Sequence, residues 1–286
     1  MFFDAGQLAA LRAAAVTGSF DAAAASLHIT PSAVSQRMRA LEAAAGRQLL
    51  LRRHPVQPTA AGEVLLRLAQ QVEELGAAAA GELGLSARSP RIPIAVNADS
   101  LDSWVLPAVA PFADRVRLEF HRADEHRTTG LLRRGEAMAA ITTEPAPLGD
   151  FQLVALGAMA YRPVATAGFL DRWRRGAGTD WLRSAPRIDF DTDDTLQLQA
   201  LARVGIHVSP AHLVPATAAL ETAVTCGMGW GMLPQAPADL RPVPGLDPIE
   251  VPLWWQQWRT APPVLTELAE AVVAMARRVL SAPRAS

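Results

Sequence analysis

A run of polar and cationic side chains near residue 35 has the chemistry needed to contact nucleic acid. Ser32, Ser35 and Gln36 carry hydroxyl and amide groups, and Arg37 and Arg39 carry guanidinium groups, within about two turns of one predicted helix. Hydroxyl and amide groups pair with base edges, whereas arginine binds phosphate through its planar fork of donors. The alternative interpretation is a solvated face of an amphipathic helix.

The positive charge of the chain is concentrated in the same segment. Residues 1–60 contain six arginines, at positions 12, 37, 39, 47, 52 and 53, against three acids, at positions 4, 21 and 42, so their formal charge is +3. The formal charge of the whole chain is −1. Because phosphates attract a local concentration of cations, this distribution favours double-stranded DNA as a partner of the N-terminal segment.

A second set of polar residues, later in the chain, combines hydroxyl donors with carboxylates. A cationic amino acid needs donors for its carboxylate and carboxylates for its amines, and each charge-assisted hydrogen bond is worth roughly 1.5–3 kcal/mol. The set therefore fits a dipolar ligand with a positive end. The alternative is that Ser100, Asp193 and Asp194 only cap helices. The candidate ligand contacts are Asp99, Ser100, Trp104, Thr142, Thr143, Glu144, Asp193, Asp194 and Thr217.

The elements that must position the first set are three helices and a hairpin. Apolar spacing predicts helices over residues 7–16, 20–27 and 31–45. Ser19 and Thr30 are suited to cap the second and third helices, and Pro31 suits the first position of the third. Residues 48–53 and 55–59 predict a short wing. This order is typical of a winged helix-turn-helix, whose recognition helix enters the major groove.

A long helix is predicted to follow the wing. Residues 59–83 contain no proline, and a helix of that length is roughly 40 Å long. A small winged domain cannot bury so long an apolar stripe, so we expect it to pack against the same helix of a second copy. Packing on the C-terminal domain of its own chain is the alternative. The stripe consists of Val64, Leu68, Val72 and Leu75, with Leu65 beside it.

Beyond residue 90, short apolar strands alternate with helices. Strands are predicted over residues 91–96, 116–120 and 139–142, and a second alternation runs from about 162 to 241. Such alternation predicts largely parallel sheets, whose ligands gather beyond the carboxyl ends of the strands. We therefore expect an α+β chain in two parts. Its domains are a winged helix-turn-helix over 1–60, a linker and dimerisation helix over 59–86, and an effector-binding domain over 91–286, with a first lobe of about 91–161 and 262–286 and a second of about 162–261.

The N-terminal segments resemble a known family. Gly18–Ala24, Thr30–Arg37, Leu41-Glu42 and Pro58–Gly62 are similar to the DNA-binding domain of LysR-type transcriptional regulators. The resemblance implies a dimerising linker helix, with two dimers commonly forming a tetramer. It places base-reading positions on Pro31, Ser32, Ser35 and Gln36, and positions at or near phosphates on Arg37, Arg39, Arg52, Arg53 and Thr59; we add Thr30, which opens the same helix.

The remainder of the chain resembles one branch of that family, the ArgP/LysG regulators of basic-amino-acid export. The similarity lies in Ile94–Leu101, Thr142–Glu144, Gly227–Pro234 and Val251–Arg259. It implies a two-lobed, periplasmic-binding-protein-like domain that senses lysine, arginine or a similar amino acid. This chain has Thr192-Asp193 where the branch usually carries a basic pair, a departure that leaves the identity of the effector open.

No catalytic or cofactor motif competes with this interpretation. Gly227–Gly231 is glycine-rich, but Met232 stands where a dinucleotide fingerprint needs glycine. His121 and His126 lack a third zinc ligand, and no nucleophile elbow or P-loop is present. We therefore expect no enzyme activity, metal or cofactor. The single cysteine and the lack of a signal peptide or membrane-spanning run predict a cytoplasmic protein that does not enter a membrane.

Two functions remain open at this point. The first is a transcription regulator gated by lysine or arginine that controls an amino-acid exporter gene. It would bind promoter DNA as a homodimer or homotetramer, with RNA polymerase as a further candidate partner. The second is an architectural or replication-control DNA-binding protein with a weak or absent amino-acid response. A ligand-dependent change in how the protein lies on its promoter separates the two.

Overall fold

The structure of the chain is a computed structural model that describes residues 3–51, 53–83, 89–122, 125–147, 149, 151–176, 178–259 and 261–281. It begins with three helices, α1 (Ala5–Thr17), α2 (Phe20–Ser26) and α3 (Pro31–Ala45). The side chains of Asp4, Ser19 and Thr30 each accept a backbone N–H of the following helix, at 3.0–3.2 Å. The predicted caps Ser19 and Thr30 are thus confirmed. Gly18 and Gly46 end α1 and α3 in the left-handed conformation, where a Cβ would be strained.

The wing is a short antiparallel hairpin. Its strands, β1 (Leu50–Leu51) and β2 (Gln57–Pro58), are shorter than the predicted segments. Immediately after β2, the Thr59 hydroxyl donates to the Gln48 carbonyl oxygen at 2.8 Å and accepts the Gly62 N–H at 3.1 Å. Thr59 therefore caps the next helix and ties it to the wing.

The long predicted helix is α4 (Ala60–Glu82). Its first turns complete the N-terminal core, and α4 passes so close to the wing that a side chain at Gly62 would overlap the backbone carbonyl of Leu49. Glycine at this position allows the two backbones to touch. The buried apolar residues that α4 shares with α1, α3 and the wing include Leu8, Leu11, Val34, Met38, Leu41, Leu50, Leu65, Leu66 and Ala69.

Most of the predicted apolar stripe on α4 is exposed in the single chain. The exposed fractions are 53% for Val64, 38% for Val72 and 62% for Leu75, whereas Leu65 is buried and Leu68 packs partly against the N-terminal core. A soluble chain rarely leaves so many aligned apolar side chains in water without a partner for them.

The described residues of the C-terminal part form nine strands. They are β3 (Arg91–Val96), β4 (Arg117–Arg122), β5 (Ala139–Thr142), β6 (Phe151–Thr166), β7 (Arg187–Asp189), β8 (Ala211–Leu213), β9 (Trp230–Leu233), β10 (Leu240–Pro242) and β11 (Ile249–Trp258). Hydrogen bonding orders them β4-β3-β5-β11-β6-β9-β7-β8, with β10 also beside β6.

The sheet divides into two lobes that share two strands. In the first lobe β3 runs parallel to β4 and β5, and in the second lobe β7 runs parallel to β8 and β9. The long strands β6 and β11 are antiparallel to each other and pass from one lobe to the other. Parallel strands in both lobes agree with the expected two-lobed fold.

The shared strands bear on the predicted lobe limits. Trp254–Gln257 of β11 pairs with β5, so this segment lies in the sheet of the first lobe, ahead of the return predicted at residue 262. The predicted limit at 161–162 falls inside the continuous strand β6. Apolar patterning could not locate these crossings because each strand continues through them without a turn.

Helices cover the two lobes. They are α5 (Ala98–Ser100), which continues as a π-helical turn (Leu101–Val105), α6 (Leu106–Val109) and a 3₁₀ turn (Ala110–Phe112); then α7 (Glu125–Arg133), α8 (Ala167–Trp173), a 3₁₀ turn (Asp180–Arg183), α9 (Leu196–Ala202), α10 (Thr217–Thr225) and α11 (Pro263–Val279). Among the helices of the described residues, none combines the length and apolarity needed to cross a membrane.

Candidate functional site

A polar groove of about 750 Å³ lies between α3 and the wing. Four of the residues predicted to contact DNA line it, namely Ser32, Ser35, Arg39 and Arg53. The Arg39 Nε donates to the Ser35 carbonyl oxygen at 3.3 Å, which holds the guanidinium along the helix. The fold therefore brings hydroxyl and guanidinium donors from two elements into one surface. Arg52, another predicted contact, lies outside the described residues.

The other predicted contacts of the N-terminal part are placed differently. Pro31 and Gln36 are exposed on α3, as a base-reading role requires, while Arg37 is half-buried. The Thr30 hydroxyl is occupied as the cap of α3, and that of Thr59 as the cap of α4. Their phosphate contacts stay predictions, and any such contact must use the groups that capping leaves available.

In the C-terminal part, the carboxylate of Asp99 joins three elements. Asp99 follows β3, and its two oxygens accept hydrogen bonds from the Tyr161 hydroxyl at 2.6 Å and the Thr217 hydroxyl at 3.0 Å. Tyr161 lies on β6 where that strand leaves the first lobe, and Thr217 opens α10 in the second lobe. The fold thus brings the predicted pair Asp99 and Thr217 into direct contact across the cleft.

The environment of Asp99 disfavours its charge. Burial raises the pKa of the Asp99 carboxyl above its ordinary value, and the carboxylates of Asp194 and Asp102 raise it further. The hydroxyl donors Tyr161 and Thr217 oppose that shift. Because the charged form of Asp99 is disfavoured, a nearby cation stabilises it more than it would stabilise an ordinary surface carboxylate.

Tyr161 was not predicted from the sequence. It is the single tyrosine of the chain and lies within a largely apolar strand, where a phenol is easily taken for core packing. A buried Tyr hydroxyl usually has a hydrogen-bond partner, and this was the available signal. The partner itself, Asp99, is 62 positions away and could not be identified from local pattern.

Two predicted contacts next to Asp99 are buried with unused polar atoms. The Ser100 hydroxyl and the Trp104 indole Nε1 have no hydrogen-bond partner within the described part of the chain. Ser100 is fully buried and Trp104 is 4% exposed. Because most buried polar atoms are hydrogen-bonded, these two groups are candidate donors to a ligand that enters the cleft.

The predicted contacts at the end of β5 lie at the same edge of the first lobe. β5 is the parallel neighbour of β3, so the residues that follow the two strands emerge side by side. Thr142 is buried and its hydroxyl accepts the Glu144 N–H at 3.1 Å, while Thr143 is half-buried and Glu144 is exposed. Thr143 and Glu144 thus present side chains near this edge, whereas Thr142 shapes the turn.

The acidic loop of the second lobe has a structural role. The Asp194 carboxylate accepts the Phe190 N–H at 2.9 Å and the Leu196 N–H at 3.1 Å, so its oxygens hold the two ends of the acidic loop together. The N-cap position of α9 itself is Thr195. Asp194 still lies near enough to raise the pKa of Asp99. Asp193 is exposed on the same loop.

A buried ion pair lies on β7, immediately before this loop. Arg187 and Asp189 are both under 10% exposed, and the Arg187 Nε lies 3.0 Å from each Asp189 oxygen. Arg187 also donates to the carbonyl of Ser209. Burial raises the pKa of Asp189 to about 6 even though Arg187 opposes the shift. Across the described residues, no cluster of three or more His, Cys, Asp or Glu side chains could hold a metal ion.

Comparison with known proteins accounts for both parts of the chain. Residues 5–63 match the family "Bacterial regulatory helix-turn-helix protein, lysR family", and residues 86–280 match "LysR substrate binding domain". The lysine export transcriptional regulatory protein LysG of Corynebacterium glutamicum is 38% identical over 269 residues, which cover 90% of this chain and 92% of that protein.

Two solved structures share the whole arrangement. The crystal structure of ArgP from Mycobacterium tuberculosis superposes with a TM-score of 0.86 at 38% identity, covering 96% of this chain and 98% of that one. Full-length LysG from Corynebacterium glutamicum with its effector arginine bound has a TM-score of 0.82 at 33% identity, covering 97% and 99%. The relatives are transcriptional regulators and not enzymes. The chain belongs to the LysR family of DNA-binding transcriptional regulators, in its LysG/ArgP branch.

Proposed function

We propose that this LysR-type regulator is gated by a basic amino acid bound between the two lobes of its C-terminal domain. The observation that carries the proposal is the partly buried carboxylate of Asp99, which accepts hydrogen bonds from Tyr161 and, across the cleft, from Thr217. A cationic group placed beside Asp99 compensates a charge that the protein itself leaves under-compensated. The arginine bound in the Corynebacterium glutamicum relative supports the same ligand class.

The polar atoms around Asp99 suit both ends of such a ligand. The α-carboxylate would take the Ser100 hydroxyl and the Trp104 indole N–H, which have no partner among the described residues, with Thr143 beside them. The amines would face Asp99 and the exposed acids Glu144 and Asp193 at the rim. The name of the Corynebacterium glutamicum relative supports an amino-acid exporter gene as the regulated target.

For DNA binding, we assign the α3 groove and the wing to the operator. The exposed stripe on α4 supports a dimer, in which two recognition helices read the two halves of a partly symmetric site; dimers can pair further into a tetramer. Ligand closure of the lobes would change how the subunits are placed on DNA more than how tightly they bind it. We place this regulator in the cytoplasm, where the promoter DNA that it would read lies.

Calorimetric titration of the full chain tests the ligand class. L-arginine, L-lysine and L-histidine are compared with L-norleucine, which has an apolar side chain and the same α-amino acid group. We expect at least one basic amino acid to bind and norleucine not to. Asp99→Asn should weaken binding by about tenfold or more, because a hydrogen bond to a charged group is worth roughly 1.5–3 kcal/mol.

The matched control for this titration is Asp114→Asn, an exposed carboxylate of the first lobe that is not among the groups acting on Asp99. It should bind like the wild type. Equal binding of norleucine, or an Asp99→Asn variant with unchanged affinity, contradicts the proposed site. An absence of binding to all three basic amino acids would favour the architectural function.

Binding should also weaken on acidification. Burial raises the pKa of Asp99 above its ordinary value, and protonation of Asp99 removes the negative charge that attracts the ligand. The affinity for L-arginine should therefore be constant well above the raised pKa of Asp99 and fall as the pH is lowered through it, with proton release on binding in that range. Calorimetry in two buffers of different ionisation enthalpy measures both effects, and an affinity that stays constant down to about pH 4, the ordinary pKa of an Asp carboxyl, would count against the proposal.

One variant in α3 and one in the wing separate base contacts from phosphate contacts. Gln36→Ala should cost about 1–3 kcal/mol at the operator and little on unrelated DNA, because Gln36 is assigned to a base edge. Arg53→Ala should weaken binding to all DNA and reduce the slope of log affinity against log salt by about 1. Arg115→Ala, an exposed arginine that pairs with Glu267 in the C-terminal part, is the control and should change neither quantity. An unchanged salt slope for Arg53→Ala would remove it from the DNA interface.

A further inference from the structure

One arginine of the first lobe reaches the second lobe beside the cleft. Arg122 is the last residue of β4 and is exposed. Its Nη2 donates to the carbonyl oxygen of Pro215 at 3.2 Å, and its guanidinium carbon lies 5.1 Å from the centre of the Phe190 ring. Both partners belong to the second lobe, so a single side chain holds two of its segments.

The two segments that Arg122 contacts are those that carry the second lobe's candidate ligand contacts. Phe190 starts the acidic loop, and its N–H donates to the Asp194 carboxylate. Pro215 lies two residues before Thr217, whose hydroxyl donates to Asp99. A guanidinium fixed on Phe190 and Pro215 therefore fixes the loop of Asp194 and the start of α10 together.

On the first-lobe side, Arg122 is anchored next to the same site. β4 is the parallel neighbour of β3, and the register places Arg122 opposite Val96, three residues before Asp99. The Arg122 contacts and the Asp99–Thr217 hydrogen bond thus join two neighbouring elements of the first lobe, β4 and α5, to the second lobe.

The chemistry of the contact suits a link that forms and opens. A guanidinium stacked on an aromatic ring at an exposed site contributes little by itself, and a carbonyl acceptor adds a charge-assisted hydrogen bond. An arginine can make both at once because its planar group stacks through its face and donates through its edge. Such a link biases the lobes toward closure without locking them.

We propose that Arg122 is a positioning residue for effector binding, whose guanidinium holds the closed arrangement of the two lobes and so presents Asp194 and Thr217 to Asp99. The effect of Arg122 on ligand affinity rests on the proposed effector cleft. The effect of Arg122 on the distance between the lobes does not need a ligand. The two consequences can therefore be measured separately.

The lobe distance is measured in the full chain by fluorescence energy transfer. Cys226, the single cysteine, is exposed at the end of α10 in the second lobe, and Asp114→Cys supplies an exposed partner position in the first. Labelled protein is diluted into excess unlabelled protein so that each dye pair lies within one chain. Without ligand, Arg122→Gln should shift the distribution toward longer distances relative to the parent protein.

Ligand affinity is measured in the same variants with L-arginine as the probe. Arg122→Gln should weaken binding about three- to tenfold, mainly through faster dissociation, because the closed form is less populated. Arg122→Lys, which keeps the charge but loses the planar fork, should lie between the two. The matched control is Arg117→Gln on the same strand. The Arg117 guanidinium donates to the carbonyl oxygen of Ser89 and not to the second lobe, so this variant should leave the lobe distance and the ligand affinity unchanged.

The outcomes separate this inference from the proposed function. If the parent protein binds no basic amino acid, the proposed function fails, and a longer ligand-free distance in Arg122→Gln still supports the link. An unchanged ligand-free distance in Arg122→Gln overturns the inference, whatever the affinities are. An equal shift in Arg117→Gln also overturns it, because loss of any arginine from β4 would then suffice.

Discussion

The hydrogen bonds to the carboxylate of Asp99 are the constraint on which the arrangement of the C-terminal domain depends. Asp99 is supplied by the first lobe, Thr217 by the second, and Tyr161 by the strand that connects them. A partly buried carboxylate loses hydration and needs donors in return. The Thr217 donor is available only when the lobes are together, so the protonation of Asp99 and its binding of a ligand are linked to lobe closure. Arg122 adds a second contact between the lobes a short distance away.

The same connecting strand reaches the linker helix. β6 begins at Phe151, and the guanidinium carbon of Arg67 on α4 lies 5.9 Å from the centre of the Phe151 ring while its Nη1 donates to the Arg133 carbonyl at 3.1 Å. Tyr161 lies on that strand ten residues later. Arg67 therefore joins the start of β6 to α4, and the first turns of α4 are packed into the N-terminal core.

Local signals predicted the N-terminal domain well and the cleft in part. The caps Ser19 and Thr30 could be identified because capping acts over three residues. Asp99 could be identified because it follows a buried strand, and Thr217 because it opens a helix. Tyr161 and the Arg122–Phe190 stack depend on contacts between residues more than 60 positions apart, which local periodicity does not encode. Asp194 shows a third case, because one carboxylate both caps its own loop and acts on Asp99 through space.

A cation bound at Asp99 should change how the regulator lies on DNA. Hydroxyl-radical footprinting of the full chain on a genomic site that the protein itself selects, with and without saturating L-arginine, measures this change. Arginine should shift the protected and hypersensitive positions of the wild-type protein and leave those of Asp99→Asn unchanged. A wild-type footprint that is identical with and without arginine, although calorimetry shows binding, would contradict it.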